Sequence, residues 1–318
     1  MATIHVLHEN DEWYGPLAAA LDAAKLPHTS WHMGEGCLDL GQPPPPGIFF
    51  NRMSASAHTR GHVHAPDYTA AVLAWLERHR RRVINGSAAL RLEMNKAAQY
   101  QLLESFGFTT PRTIVVHGLH KAPEAARLFS GPFITKHNRS GKGLGVCLFQ
   151  RAEALEQHLG SKEFTGPVDG LLLLQEYIQS PDSSITRLEF VGGRFLYALR
   201  VDTSEGFELC PADSCAIQEQ CALMSTAKFT IVNEVQPDVP RYEAMLKVAG
   251  VEVAGIEYIR DRQGRVYTYD INVNTNYNTE AEQKAGKYAF AALCDFLAGE
   301  LAEDLALSRG GVAGRRCD

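Results

Sequence analysis

The chain has 318 residues, 45 % of them hydrophobic and 21 % charged, with a formal net charge of −6 at pH 7. That length suggests two or three folding units of about 100–200 residues each, and the negative charge argues against a general nucleic-acid binder, which carries a basic face. No apolar run approaches the roughly 20 residues that a membrane helix needs, and the start lacks the basic-then-apolar order of a signal peptide. The seven cysteines show no CxxC spacing, the pattern of reduced thiols in a cytoplasmic protein.

In chain order, "TIHVLH" reads as a strand, "GPLAAALDAAKL" as a helix and "GIFFNR" as a second strand. The next helix, "PDYTAAVLAWLERHRRR", puts Tyr68, Val72, Trp75, Leu76 and His79 on one stripe, and "RVING" comes next as a third strand. Strands alternating with helices predict a parallel α/β unit over residues 1–88. Ser87 is expected to cap a single helix through "ALRLEMNKAAQYQLLESF" that Gly107 ends. The strands "RTIVVH", "PFITKH" and "VCLFQ", with the helices "PEAARLF" and "AEALEQHL", complete a second unit over 89–170. From Leu171 the pattern turns to antiparallel sheet: "LLLLQEYI" is a buried strand, and two hairpins come after it, separated by the helix "RYEAMLKVAG" and closed by a long helix from about 280 to 307. This third unit spans 171–307, and residues 308–318 are expected to form a disordered tail.

Three stretches carry chemistry. "KHNRSGKGLGV" (136–146) comes after an apolar strand and holds Gly141, Gly143 and Gly145. Successive glycines let backbone N–H groups converge on phosphate oxygens, and a lysine at the end of a buried strand needs a negative partner. A flexible hairpin loop is the plainer alternative. In "GIEYIRDRQGRVYTYDINVN", a two-residue turn at Gln263–Gly264 sets Arg262 opposite Arg265, Glu257 opposite Asp270 and Asn272 opposite Gly255. Glu257, Asp270 and Asn272 then share a face. Two opposed carboxylates repel and call for a cation, and two acids with an amide oxygen suit Mg²⁺. In "ITRLEFVGGRFLYALR", a Gly192–Gly193 turn sets Arg187 opposite Ala198 and Arg200 opposite Ile185. Both arginines would then project from one face as an anion site, unless local acids such as Glu189 pair them. "HTRGHVH" (His58–His64) lacks helical periodicity and reads as a surface loop. Cys210, Cys215 and Cys221 match no zinc-ligand spacing.

Taken in this order, these pieces resemble the ATP-grasp superfamily, nearest to its RimK-type glutamate ligases, over about residues 85–280. "NKAAQYQLLESFGFTTPRT" resembles the family's lysine-bearing helix, "PFITKHNRSGKGLGV" its strand lysine and glycine-rich flap, and "LLQEYI" its hinge. The two hairpins resemble its arginine hairpin and its metal hairpin. The resemblance implies an ATP-grasp α+β fold, with an N-terminal parallel α/β domain and two subdomains clamping ATP. Lys96, Lys136, Ser140, Gly141 and Gly143 would contact the phosphates, and Gln175, Glu176, Tyr177 and Ile178 the adenine. Glu257, Asp270 and Asn272 would hold Mg²⁺ or Mn²⁺. Arg187 and Arg200 would hold the reacting anion, and Arg52 and Asn274 would face the substrate. The implied reaction is ADP-forming ligation of a small-molecule or peptide carboxylate to an amine, with neither nucleic acid nor membrane as partner and a homo-oligomer allowed. A kinase acting on a hydroxyl of a small anionic substrate, and a nucleotide-sensing module, are the alternatives. The chain departs from the family pattern at Ile185, where an acid is usual, at Glu257, where Asp is commoner, and in "VNTNYNTEAE" after Asn272.

Overall fold

Strand β1 (Thr3–His8) is buried along nearly its whole length, with β2 (His28–His32) on one side, β3 (Gly47–Asn51) on the other and β4 (Val83–Ile84) beyond β3. All of these pairings are parallel. This belongs to a computed structural model that describes residues 2–141, 143–204, 228–232 and 238–313. Lys142 and four of the cysteines (Cys210, Cys215, Cys221 and Cys317) lie outside the described residues. The apolar runs of β1 and β3 fit a sheet covered on both faces. Helix α1 (Asp11–Ala23), capped by the Asn10 side chain, packs Leu17 and Leu21 on Ile4, Val6, Ile48 and Phe50. Helix α2 (Ala65–Arg78) covers the opposite face, where Val72, Leu73 and Leu76 meet Leu7 and Phe49. The sequence pattern offers no sign of β2. It is an edge strand of polar and aromatic residues, two of its five exposed and none buried, and it joins through main-chain pairing rather than through an apolar face.

The helix expected from Ser87 to Phe106 is two helices, α3 (Ser87–Glu93) and α4 (Lys96–Ser105). Asn95 takes extended backbone between them and its side chain accepts the Ala98 N–H, so a new N-cap interrupts the run. Ser87 is not the cap: its N–H and hydroxyl both donate to the Glu77 carboxylate. The middle unit is an antiparallel sheet in the order β5-β8-β6-β7, from β5 (Thr113–His117), β6 (Phe133–His137), β7 (Cys147–Phe149) and β8 (Leu171–Glu176). Its helices α5 (Ala122–Ala126) and α6 (Ala152–Leu159) close a core of its own around Phe133, Leu155, Leu172 and Leu174. Leu173 faces the other way into the neighbouring core, so "LLLL" is apolar throughout because both faces of β8 are covered.

The largest sheet runs β11-β10-β9-β12-β13, built from β9 (Ser184–Val191), β10 (Arg194–Asp202), β11 (Phe229–Val232), β12 (Ala254–Arg260) and β13 (Val266–Asn272). Its described pairings are all antiparallel. Helix α7 (Val239–Ala249) packs Tyr242, Met245 and Leu246 beneath it, and α8 (Thr279–Ala285) leads to the closing helix α9 (Ala289–Ala313). Leu293, Leu297 and Leu301 of α9 share one core with the N-terminal sheet, so the first and last units are welded together. Helix α9 also runs through 308–313, where a disordered tail was expected. No helix among the described residues is long and apolar enough to cross a membrane.

Two hairpin registers bear on the site. In β9–β10, Val191 pairs with Arg194 as expected, but a bulge between Phe195 and Tyr197 displaces every later pair by one residue. Arg187 therefore pairs with Leu199, and Arg200 with Thr186. The two arginines project from opposite faces, which overturns the shared anion site. In β12–β13 the turn is wider than two residues, with Arg260 paired to Val266, and a bulge at Tyr269 restores the count. Glu257 faces Asp270, and Gly255 faces Asn272, as expected.

Candidate active site

A cavity of about 350 Å³ lies between the middle sheet and the large sheet. Lys96, Lys136, Ser140, Gly141, Gly143, Gln175, Glu176, Tyr177, Ile178, Arg187, Glu257, Asp270 and Asn272 all line it. Residues spread over more than half the chain thus converge on one cleft. Arg200, Arg52 and Asn274 do not line it.

Lys96 begins α4 and donates to Asp270 Oδ1 at 2.5 Å. Burial would raise the Asp270 carboxyl, but Lys96 in contact and Lys136 nearby hold it below the usual carboxylate range. Lys136 is buried, donates to the Tyr100 hydroxyl at 3.3 Å and sits 5.0 Å over the Tyr269 ring. Its burial pulls its pKa down against the opposing pull of Asp270 and Glu257. Gln175 braces this wall by donating to Tyr100 (2.9 Å) and Thr113 (2.8 Å). Glu176 accepts the Arg112 N–H at 2.8 Å.

Arg187 has each side of its guanidinium engaged: Nε donates to Glu189 (2.6 Å), one amino group to Glu257 (2.7 Å) and the other to Thr275 Oγ1 (2.7 Å). Thr275 donates its own hydroxyl proton to Glu189 at 2.8 Å. Gly255 makes room for this head group, since a Cβ there would lie 2.3 Å from the guanidinium. Asn272 Nδ2 reaches Glu257 Oε1 at 3.3 Å. Two carboxylates and a carboxamide on one face, beside bound cationic heads, fit a hard divalent ion such as Mg²⁺. Among the described residues no group of three or more His, Cys, Asp or Glu gathers to hold a metal, so the Asn272 carboxamide belongs to any such set.

The glycine-rich loop lines one side of the cleft. Ser140 is 4 % exposed, and its hydroxyl has no hydrogen-bond partner among the described residues, so a buried donor is left for an incoming oxygen. At Gly145 φ is +75°, and a Cβ would lie 2.7 Å from His137 Nε2. Gly145→Ala is expected to weaken nucleotide binding several-fold while shifting the melting temperature little, because an L side chain at positive φ costs about 1–2 kcal/mol and the crowded neighbour is one ring, His137 at the end of β6. Calorimetric titration with ADP checks this, and unchanged affinity would count against a role for the loop in binding.

Arg200 lies on the sheet's other face, where it pairs with Asp182. Arg52 is buried and donates to Trp13 O (3.0 Å), Thr275 O (2.9 Å) and Asn276 Oδ1 (3.0 Å), which are all neutral acceptors. Burial lowers its pKa to about 10. It ties the N-terminal sheet to the segment after β13. Asn274 is half-buried, with its Oδ1 unpartnered among the described residues. The histidine segment is not a free loop: a 3₁₀ turn (Ala57–Arg60) seats His58 on Ala55 O, and the His62 ring packs 5.3 Å from that of His32. Sequence reasoning missed Glu93, Tyr100 and Thr275. Glu93 left one signal, an acid on the buried stripe of Ala89 and Leu90.

Residues 93–212 match the RimK-like ATP-grasp domain family. A probable alpha-L-glutamate ligase of Aeromonas salmonicida is 24 % identical over 232 residues, covering 72 % of each chain. The crystal structure of a RimK domain ATP-grasp protein from Sphaerobacter thermophilus superposes with a TM-score of 0.63 at 18 % identity, over 93 % of this chain and 99 % of that one. The ATP-grasp ligase PsnB, complexed with a phosphomimetic variant of its minimal precursor, Mg and ADP, superposes with a TM-score of 0.65 at 17 % identity, over 94 % and 98 %.

Proposed function

We propose that this chain, whose residues 93–212 match the RimK-like ATP-grasp domain family, is an ATP-grasp ligase that joins an amino-acid or peptide-like carboxylate to an amine, forming ADP through an acylphosphate. The observation that carries this reading is the convergence of Lys96, Lys136, Arg187, Glu257, Asp270 and Asn272 in one cleft under the Ser140–Gly143 loop. In the first step a substrate carboxylate oxygen attacks the γ-phosphorus of ATP, and ADP leaves. In the second an amine attacks the acyl carbon, phosphate leaves and the nitrogen loses a proton. Neither step needs a side-chain nucleophile; both need positioning and charge stabilisation.

Lys96 and Lys136 are placed to meet phosphate oxygens, and the Ser140 hydroxyl and the N–H groups of the loop to cover them. Glu176 to Ile178 continue from β8 along the cleft wall as the base-binding edge. Glu257, Asp270 and Asn272 would hold Mg²⁺, which neutralises charge on the transferring phosphoryl group. Arg187 holds Glu257 in place and adds positive charge beside the reacting carboxylate. The loop excludes water that would otherwise hydrolyse the acylphosphate. Arg52 and Asn274, outside the cleft, border the segment after β13 and shape the acceptor side.

The test is a mass-spectrometric screen of carboxylate and amine pairs with ATP and Mg²⁺. The expected product is heavier than either substrate and lighter than their sum by one water, with ADP and phosphate released in equal amounts. AMP with pyrophosphate, or a stable phosphorylated product without free phosphate, would overturn the reading; the second outcome would make the protein a kinase.

A further inference from the structure

Glu93, at the C-terminal end of α3, is 8 % exposed, and among the described residues no lysine or arginine forms an ion pair with it. One carboxylate oxygen accepts the Ala55 N–H at 3.1 Å, and the other accepts the Val273 N–H at 2.7 Å. These two amides belong to segments far apart in the chain. Val273 comes directly after Asn272 of the cleft. Ala55 directly precedes Ser56, whose side chain lies 3.6 Å from where a Cβ on Gly141 would stand. Ser56 therefore lies beside Gly141, at the seat of the glycine-rich loop. Arg139, at the root of that loop, donates to Val63 O at 3.0 Å, which ties the loop to the same N-terminal segment.

We propose that Glu93 is a positioning residue that sets the spacing between the seat of the glycine-rich loop and the Asn272 end of the metal hairpin, and so the strength of Mg²⁺-dependent nucleotide binding. This rests on the Mg²⁺-nucleotide reading of the cleft. Two features make the role specific. A carboxylate offers two acceptor oxygens in a fixed fork, so it can hold two N–H groups at a set separation. It is also a buried acid, pushed up by burial and held back by the Ala55 and Val273 N–H groups and by Lys96 nearby, a costly arrangement where a neutral acceptor would suffice for packing alone. An amide at this position has one acceptor oxygen and turns an N–H against an N–H.

The experiment measures ADP affinity with and without Mg²⁺ for the wild-type chain, Glu93→Gln and Glu93→Asp, with thermal unfolding of each. The wild type is expected to bind ADP more tightly with Mg²⁺. Glu93→Gln is expected to lose most of that gain, roughly 10-fold, while its Mg²⁺-free affinity stays within about 2-fold of wild type. Glu93→Asp keeps the charge but is shorter by one methylene, reaches only one amide and should behave like Gln. Hydrogen exchange at the amides of Ala55 and Val273 should quicken in both variants. The proposal is overturned if Glu93→Gln keeps the Mg²⁺ gain, if both affinities fall by the same factor, or if Glu93→Asp restores wild-type behaviour. A wild type with no Mg²⁺ gain at all would instead sink the reading of the cleft, and this proposal with it.

Discussion

Asp270→Asn is expected to lower ATP turnover by at least about 10²–10³-fold, the usual cost of removing one preorganised charge contact from a transition state, with the fold retained. The side chain lies opposite Glu257 across β12–β13 and is bound to Lys96. Asparagine keeps its shape and an oxygen for Lys96 but removes the negative charge that would grip a divalent ion. Two opposing effects act on stability: Lys96 loses its ion-pair partner, and the repulsion between two carboxylates on one face disappears. The melting temperature should therefore move by only a few degrees. ADP release at saturating ATP and Mg²⁺, measured beside thermal unfolding, checks this. Near-normal turnover would remove Asp270 from any metal site.

Arg187→Met should be the most damaging single change to stability. It leaves Glu189 buried and Glu257 half-buried without their cation, and breaking a buried pair from one side costs about 3–5 kcal/mol. Burial pushes the Glu189 carboxyl up even in the intact protein, where Arg187 opposes it. In Arg187→Met that opposition is gone, so the carboxyl is expected to move further up. The variant's deficit in melting temperature relative to wild type should therefore shrink as pH falls, because a raised carboxyl takes up its proton more readily in the folded state and protonation removes the unpaired charge. Adding Glu189→Gln should restore a large part of the lost stability and none of the lost turnover, since Glu257 would still lack its partner. Recovery of turnover in the double variant would show that Arg187 serves the fold alone. Gly255→Ala offers a milder version of the same test, because its methyl group would push into the guanidinium.

The two hairpins show why the candidate site was partly legible and partly hidden. The pairing of Glu257 with Asp270 came out as expected because two one-residue departures cancel: a wider turn at Asp261–Arg265 and a bulge at Tyr269. In β9–β10 a single bulge has no counterpart, and it sends Arg187 and Arg200 to opposite faces. A bulge answers to the groups packed on the sheet, and nothing in "RFLYALR" announces it. The missed strand β2 and the Asn95 cap are of the same kind. A polar edge strand has no apolar alternation to display, and a cap inside a helical run is decided by whether the chain must bend there.

The chain's own sequence determined the order of elements, the glycine turns, the loop that comes after a buried strand and the acids that alternate onto one face. All of these are local consequences of backbone geometry and side-chain periodicity. Only the tertiary structure decided how the charges are shared. Lys96 meets Asp270 across 174 positions, Arg52 meets Thr275 across 223 and Glu93 meets Val273 across 180. Burial makes such pairings obligatory, because a desolvated charge or amide must find a partner. Which partner it finds depends on how three sheets pack, and that is written in no single stretch of the chain.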